Sequence, residues 1–290
     1  MPQPGLEEFR FDGIGTRWEI STPRALSAGV RARLLAVVEA YDGAWSRFRP
    51  DSTASAMARE PGRHEFPPEA APLGQLYRSL YRLSAGAMTP LIGSSLEQLG
   101  YDGDYSLRQA GPPLAAPRWE DSLDWDGSVL TNRAPVVLDI GAAGKGQLVD
   151  LLGVELRQHG HNSYLIDASG DLLYSGPDVI RVGLEHPYDP ARAIGTVDLA
   201  GGALCASAAN RRAWGDGLHH VLNGTTGRPV STAVATWTMA ASTMLADALA
   251  TALFFVPGAD LERSFEFSWL TVFSDGSAAY SAGFEGTLFT

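Results

Sequence analysis

The sequence predicts a mixed α+β fold, and three observations carry that expectation. Short runs with two-residue alternation recur along the chain, two long stretches repeat apolar residues at helical spacing, and the middle reads strand, glycine loop, helix, strand. At 290 residues the chain is long enough to bury a substantial core. Its 45% hydrophobic and 19% charged residues are a globular composition, and 32 Gly with 18 Pro imply many tight turns. The sequence shows no internal repeat and no low-complexity linker.

Glu8 to Ser21 alternate in strand fashion around a Gly-Ile-Gly turn, and Thr22-Pro23 has the form of an N-cap followed by a helix-starting proline. Leu26, Val30, Leu34, Val37, Val38 and Tyr41 then fall on one helical stripe. After a loop rich in Arg, Pro and Asp, Leu73, Leu76, Tyr77, Leu80 and Leu83 predict a second helix that stops near Gly86. Gly111 to Gly127 lack periodicity, and their Pro and Trp content suits an ordered covering loop or an irregular strand pair. A βαβ-like unit follows: strand 136–140, helix 147–159, and a strand from Ser163 to Ile166 that reaches the Ser169-Gly170-Asp171 turn. Ile180 to Leu184, Ile194 to Leu199 and Leu204 to Ser207 are further strands between Gly and Pro punctuation. Ala240 to Val256 reads as the late helix, and Phe265 to Phe273 with Ala278 to Ala282 as a closing hairpin around Asp275-Gly276.

The net charge of -11, with no Lys/Arg-rich run to offset it, argues against nucleic acid as a main partner. An anionic ligand would need a local positive site or a metal ion. Cys205 is the only cysteine, so no intrachain disulfide can form and a reducing, cytoplasmic compartment is the economical expectation. The start MPQPGLEEFR has neither the basic nor the apolar part of a secretory signal, while a leader removed ahead of it stays open. The strongly apolar stretch Leu245 to Val256 is about twelve residues and holds Asp247, too short and too polar to span a bilayer.

The most informative segment is LDIGAAGKGQLVD, Leu138 to Asp150. Gly141, Gly144 and Gly146 allow backbone N–H groups to approach an anion, and Lys145 adds a positive charge. The segment fits neither GxGxxG nor GxxxxGK[ST], so a plain strand-to-helix turn is the competing reading. Asp247 and Thr251 lie four residues apart on one helix face and could bind Mg²⁺, which prefers oxygen ligands and takes few of them from protein. The alternative is a capping or paired aspartate with a threonine bonded back to a carbonyl. His220, in HHVLNGTTGRP, could act as a base or be structural. Asp171 could aim into a crevice at a strand end or close an Asx turn. No GxSxG, HExxH or His/Cys cluster competes, and phosphate with magnesium is the leading chemistry.

Taken in order, these pieces resemble the ApbE family of FAD:protein FMN transferases. Gly13-Ile-Gly-Thr-Arg-Trp18 looks like the family's MGT segment, and Ser46-Arg-Phe-Arg-Pro-Asp-Ser52 like its S-x-Y-x-P-D-S segment. LDIGAAGKGQLVD resembles D-L-G-G-I-A-K-G-x-x-V-D, and Tyr164 to Gly176 the segment carrying G-G-D. HHVLNGTTGRPV resembles H-I-I-D-P-x-T-G-x-P, and Leu245 to Phe255 the A-D-A-L-A-T-A helix. The resemblance implies one ApbE-like α+β flavin transferase domain over residues 1–290, with mixed sheets and packed helices. It implies a flavin transferase that uses Mg²⁺ to move FMN from FAD onto a Thr or Ser hydroxyl of an acceptor flavoprotein, releasing AMP. Carried over residue by residue, Asp247, Thr251 and the carbonyl of Gly144 would hold Mg²⁺. Lys145 and His220 would be catalytic, His220 as the base that takes the acceptor proton. Ile14, Gly15, Ser52, Gly141, Lys145, Asp171 and Thr226 would bind FAD.

The chain also departs from the family pattern. Ala58 stands where an Asn is usual, Thr89 where an Asp is expected and Leu91 where a Thr is common. Cys205-Ala-Ser-Ala-Ala-Asn210 loses a threonine, a glycine and a flavin-stacking tyrosine, Gly144 replaces an alanine, and Asn223 stands in place of an aspartate. These changes keep two other outcomes open: hydrolysis of FAD to FMN and AMP, and FAD binding without turnover.

Overall fold

A computed structural model describes residues 5–289, apart from the side chains of Arg211 and Arg212. The chain opens with the expected hairpin, β1 (Glu7–Gly13) and β2 (Thr16–Thr22), turned at Ile14 and Gly15 with φ of 44° and 75°. Helix α1 (Ala28–Trp45) starts later than Thr22-Pro23 suggested. Thr22 pairs with Glu7 as the last residue of β2 and donates its hydroxyl to the Arg24 carbonyl, so Ser27 caps the helix instead. Val30, Leu34, Val38 and Tyr41 form the buried stripe. The Arg/Pro/Asp-rich loop contains an unexpected short helix, α2 (Thr53–Arg59), followed by β3 (Gly62–Glu65). Helix α3 (Ala70–Leu83) matches expectation, and α4 (Gly93–Gln98) follows it. The Gly111–Gly127 region is both of its alternatives at once: a loop, then α5 (Trp119–Ser122) and β4 (Leu123–Asp126), which pairs with β5 (Val129–Asn132).

Residues 136–140 correct the sequence reading, because they form no strand and belong to no sheet. Val136, Leu138 and Ile140 are buried in alternation, which produced the strand signal. Their backbone neighbours are loop and helix carbonyls instead: Val136 N–H donates to Met57 and Asp139 N–H to Pro90. Alternation records burial on one side, not the identity of the hydrogen-bond partner. Helix α6 (Gly144–Gln158) then begins three residues earlier than expected and leads to β6 (Tyr164–Asp167) and β7 (Asp171–Ser175).

The remaining strands are β8 (Ile180–His186), β9 (Asp189–Leu199) and β10 (Gly202–Ala208), then the short pairs β11 (Ala213–Trp214) with β12 (Leu218–His219) and β13 (Leu222–Asn223) with β14 (Arg228–Pro229). Strand β15 (Ala233–Ala240) has no separate signal in the sequence, because its residues are mostly buried and merge with the apolar helix after it. Ala240 ends that strand, so helix α7 spans only Thr243–Ala252. After α8 (Gly258–Leu261), the expected closing hairpin is β16 (Ser268–Phe273) and β17 (Ala278–Tyr280), with β18 (Gly286–Leu288) last.

An eight-stranded sheet in the order β1-β2-β6-β7-β10-β15-β16-β17 is the frame. Every one of its pairings is antiparallel, so the middle of the chain is not a parallel βαβ unit. One face carries α1, α6 and α7 over the main core, where Ile166, Leu173, Ala203 and Cys205 meet Leu148, Leu152 and Leu249. On the other face, Leu172, Leu204 and Trp237 pack against Ile180, Leu184, Val197 and Leu199 of the small sheet β18-β9-β8. Adjacent residues such as Leu172 and Leu173 thus serve opposite cores, as a two-residue period requires. Among the described residues no helix is long and apolar enough to cross a membrane.

Helices α6 and α7 touch at Gly146. A Cβ there would lie 2.3 Å from the Thr243 carbonyl oxygen and 2.8 Å from Asp247 Cβ. Backbone cannot swing aside as a side chain can, so Gly146→Ala should lower stability by about 1–3 kcal/mol, the usual cost of overpacking. Urea unfolding of the variant measures this, and wild-type stability would contradict the close approach.

Candidate active site

The glycine loop is set by Asp139. Its Oδ1 accepts the Gly141 N–H at 2.8 Å and its Oδ2 accepts Arg47 Nε at 2.7 Å. Arg47 is almost fully buried, donates a further bond to the Tyr101 carbonyl and lies over the Phe48 ring at 4.1 Å. Sequence reasoning passed over this arginine, although it sits inside the Ser46–Ser52 segment. From the fixed loop, Gly144 N–H reaches the Ile140 carbonyl at 2.8 Å and α6 begins.

Lys145 is the second residue of α6. Its Nζ donates to the Ala168 carbonyl at 3.1 Å and pairs with Asp171 Oδ2 at 3.0 Å. Burial works against its charge, but the carboxylates of Asp171 and Asp247 outweigh burial and raise its pKa, so it remains a cation. Asp171, on β7, is fully buried beneath the lysine and borders neither cavity described below. As the first residue of β7 with an inward side chain, Asp171 holds the lysine from within the fold, where the resemblance implied a contact with flavin. The turn above it uses Ser169 and Gly170 at φ of 56° and 104°, with Gly170 N–H on Asp167 Oδ1.

Helix α7 is held from below by two buried threonines of β15. Thr238 Oγ1 donates to the Ala246 carbonyl and Thr236 Oγ1 to the Ala250 carbonyl, both at 2.6 Å. Those carbonyls face the sheet, which leaves Asp247 and Thr251, each one residue further on, to border the cavity. Asp247 Oδ2 accepts the Gly146 N–H at 2.9 Å. In return, Asp150 of α6 accepts the N–H groups of Thr243 and Met244 at 2.8 and 2.9 Å.

The two adjacent histidines have separate fates. His219 is buried, with Nε2 on the Val230 carbonyl at 2.8 Å and Nδ1 accepting the Val221 N–H at 3.2 Å. One nitrogen donates and the other accepts, so this ring is neutral, and burial lowers its pKa. His220 borders the cavity. The turn after it is closed by Asn223, whose Oδ1 accepts from Thr225 N–H and Oγ1.

A cavity of about 320 Å³ is bordered by Lys145, Asp247, Thr251, His220, Thr89 and Asn210, among others. A second, of about 330 Å³, is bordered by Ile14, Trp45, Phe48, Tyr105 and Gly144. Gly15, Asp139, Gly141 and Lys145 border both, so the glycine loop separates two adjoining spaces. Gly144 thus opens on the second cavity while Asp247 and Thr251 open on the first. Ser52 and Thr226 border neither. Ser52 is the buried cap of α2 and donates to the Ser46 carbonyl, and Thr226 is an exposed residue of the Asn223 turn. Cys205 is fully buried, its pKa pushed well up by burial, and it packs in the main core as a small apolar residue.

Asp247 and Thr251 supply hard oxygen donors on one face of α7 at the cavity wall. Among the described residues no group of three or more His, Cys, Asp or Glu side chains could hold a metal alone. That donor set fits a cation such as Mg²⁺, which keeps waters and takes phosphate oxygens, and not a zinc-type cage.

A family model described as the ApbE family matches residues 14–268. The chain is 28% identical over 272 residues to a FAD:protein FMN transferase of Rhodobacter capsulatus, covering 87% of this chain and 51% of that protein. It therefore spans about half the length of that relative. Identity to a FAD:protein FMN transferase of Klebsiella pneumoniae is 25% over 80% of this chain and 73% of that protein. The ApbE protein of Thermotoga maritima superposes with a TM-score of 0.81 at 22% identity, covering 97% and 99% of the two chains. The flavin transferase ApbE of Vibrio cholerae gives 0.76 at 19% identity, covering 95% and 97%. Likeness at those identities is likeness of fold.

His219 provides a pH test. Its folded pKa lies below the ordinary 6.5, so on acidification the unfolded chain takes up a proton first. Its stabilising contribution is present above pH 6.5 and is lost as pH falls towards the folded pKa. Thermal unfolding between pH 7.5 and 5 should show a decline that is shallower in His219→Gln; equal slopes would refute the neutral buried ring.

Proposed function

Because the chain belongs to the ApbE family, we propose that it transfers FMN from FAD to a Thr or Ser hydroxyl of an acceptor flavoprotein and releases AMP, with Mg²⁺ as cofactor. The observation that carries this reading is the meeting around one cavity of Lys145, His220 and the Asp247–Thr251 pair, which come from three segments far apart in sequence. FAD has a diphosphate joining two bulky halves, and two adjoining cavities with a lysine and a glycine loop between them suit such a substrate.

Asp247 and Thr251 would hold Mg²⁺ at the first cavity; the resemblance adds the carbonyl of Gly144, a residue that borders the adjoining second cavity. The ion would neutralise a diphosphate that a chain of net charge -11 otherwise repels. Lys145, kept charged by Asp171, stabilises the negative charge that builds on the diphosphate oxygens. His220 takes the proton of the acceptor hydroxyl. The hydroxyl oxygen bonds to the phosphorus of the FMN half, the bond from that phosphorus to the bridging oxygen breaks, and AMP leaves with that oxygen.

The test is incubation with FAD, Mg²⁺ and candidate acceptor proteins, read as a covalent flavin mass on the acceptor and free AMP. AMP without an acceptor would instead identify hydrolysis, and tight FAD binding with no AMP a protein without turnover. His220→Ala should lower transfer by about 10²- to 10⁴-fold with FAD binding kept. Asp247→Ala should abolish the metal dependence while preserving the fold by circular dichroism; a variant that still responds to Mg²⁺ would refute the ligand assignment.

A further inference from the structure

We propose that Asp150 is a positioning residue for the cation-holding face of α7, acting through the first turn of that helix without touching any ligand. The proposal rests on the reading above in one respect, that a divalent cation sits at Asp247 and Thr251.

Gly146 and Asp150 are one turn apart on α6, and Thr243 and Asp247 are one turn apart on α7. Two rungs join them. Gly146 N–H meets the Asp247 carboxylate at one end, and the N–H groups of Thr243 and Met244 meet the Asp150 carboxylate at the other. Together with Ser242 Oγ, which accepts the Leu245 N–H at 3.3 Å, Asp150 satisfies the first-turn donors of α7. It is a cap supplied from another helix, and it borders neither cavity. The two caps differ in what they fix. Ser242 belongs to α7 and closes its turn internally, whereas Asp150 ties that turn to α6 and so fixes Asp247 against the glycine loop. Without Asp150, Asp247 would be the remaining rung and would have to hold both the Gly146 N–H and the cation from a first turn no longer tied to α6 at Thr243 and Met244.

The experiment titrates Mn²⁺ as probe, read by the EPR signal of the free ion, in the presence of FAD, for wild type, Asp150→Asn, Asp150→Ala and Ser242→Ala. Loss of Asp150 should weaken Mn²⁺ binding about 10- to 100-fold, the range for removing a partner that orients a metal ligand. FAD binding measured without metal should stay unchanged. Ser242→Ala should lower thermal stability while leaving Mn²⁺ affinity intact. If Asp150→Ala does not fold, Asp150→Asn, with one acceptor oxygen left, reads the same shift. Wild-type Mn²⁺ affinity in the Asp150 variants, or equal weakening in Ser242→Ala, overturns the proposal. Indifference of Mn²⁺ binding to Asp247→Ala would instead overturn the ligand assignment beneath it.

Discussion

The approach of α6 to α7 at Gly146 is the constraint on which the site depends. A residue without Cβ lets the two backbones come close enough for an N–H of one helix to bond a carboxylate of the other. Both helices carry an aspartate that accepts from the first turn of its neighbour, so each helix start is completed by its partner. An N-terminus without a serine or aspartate of its own, as α6 has at Ala143, would otherwise leave donors unmet.

The eight-stranded sheet converts this pairing into a fixed wall. Thr236 and Thr238 of β15 bond the α7 carbonyls from inside the core, and a helix so tethered cannot rotate without breaking buried hydrogen bonds. Rotation matters because Asp247 and Thr251 adjoin the tethered residues in sequence. On the other flank, the buried Arg47 and Asp139 pin the loop, and Asp171 with Ala168 pins Lys145. Lys145 is thus held by groups that border neither cavity, whereas Asp139, which fixes the loop, borders both.

Two departures from the family pattern keep the acceptor oxygen that their positions use. Thr89 caps the short turn Pro90–Ile92 through its hydroxyl, and Asn223 closes the turn after His220 through its side-chain oxygen. An aspartate would offer the same oxygen with a charge, so both turns persist, while at Thr89, which borders the first cavity, the wall carries no charge. Asn210, at the place of an expected tyrosine, instead donates to the Pro187 carbonyl and ties the tip of the β8–β9 hairpin to the cavity rim.

The sequence by itself determined the α+β class, the opening and closing hairpins, the helical stripes of α1 and α3, and the motifs holding Lys145, His220, Asp247 and Thr251. Those features are local, written in periods of two or 3.6 residues and in short ordered segments. Only the tertiary structure decided that residues 136–140 pair with no sheet, that β15 precedes α7, and that Asp171 lies beneath Lys145. It also separated His219 from His220, gave Arg47 and Asp150 their roles, and removed Ser52 and Thr226 from the cavity. Each of those outcomes depends on which distant donor meets which acceptor, and a one-dimensional pattern of burial does not carry that pairing.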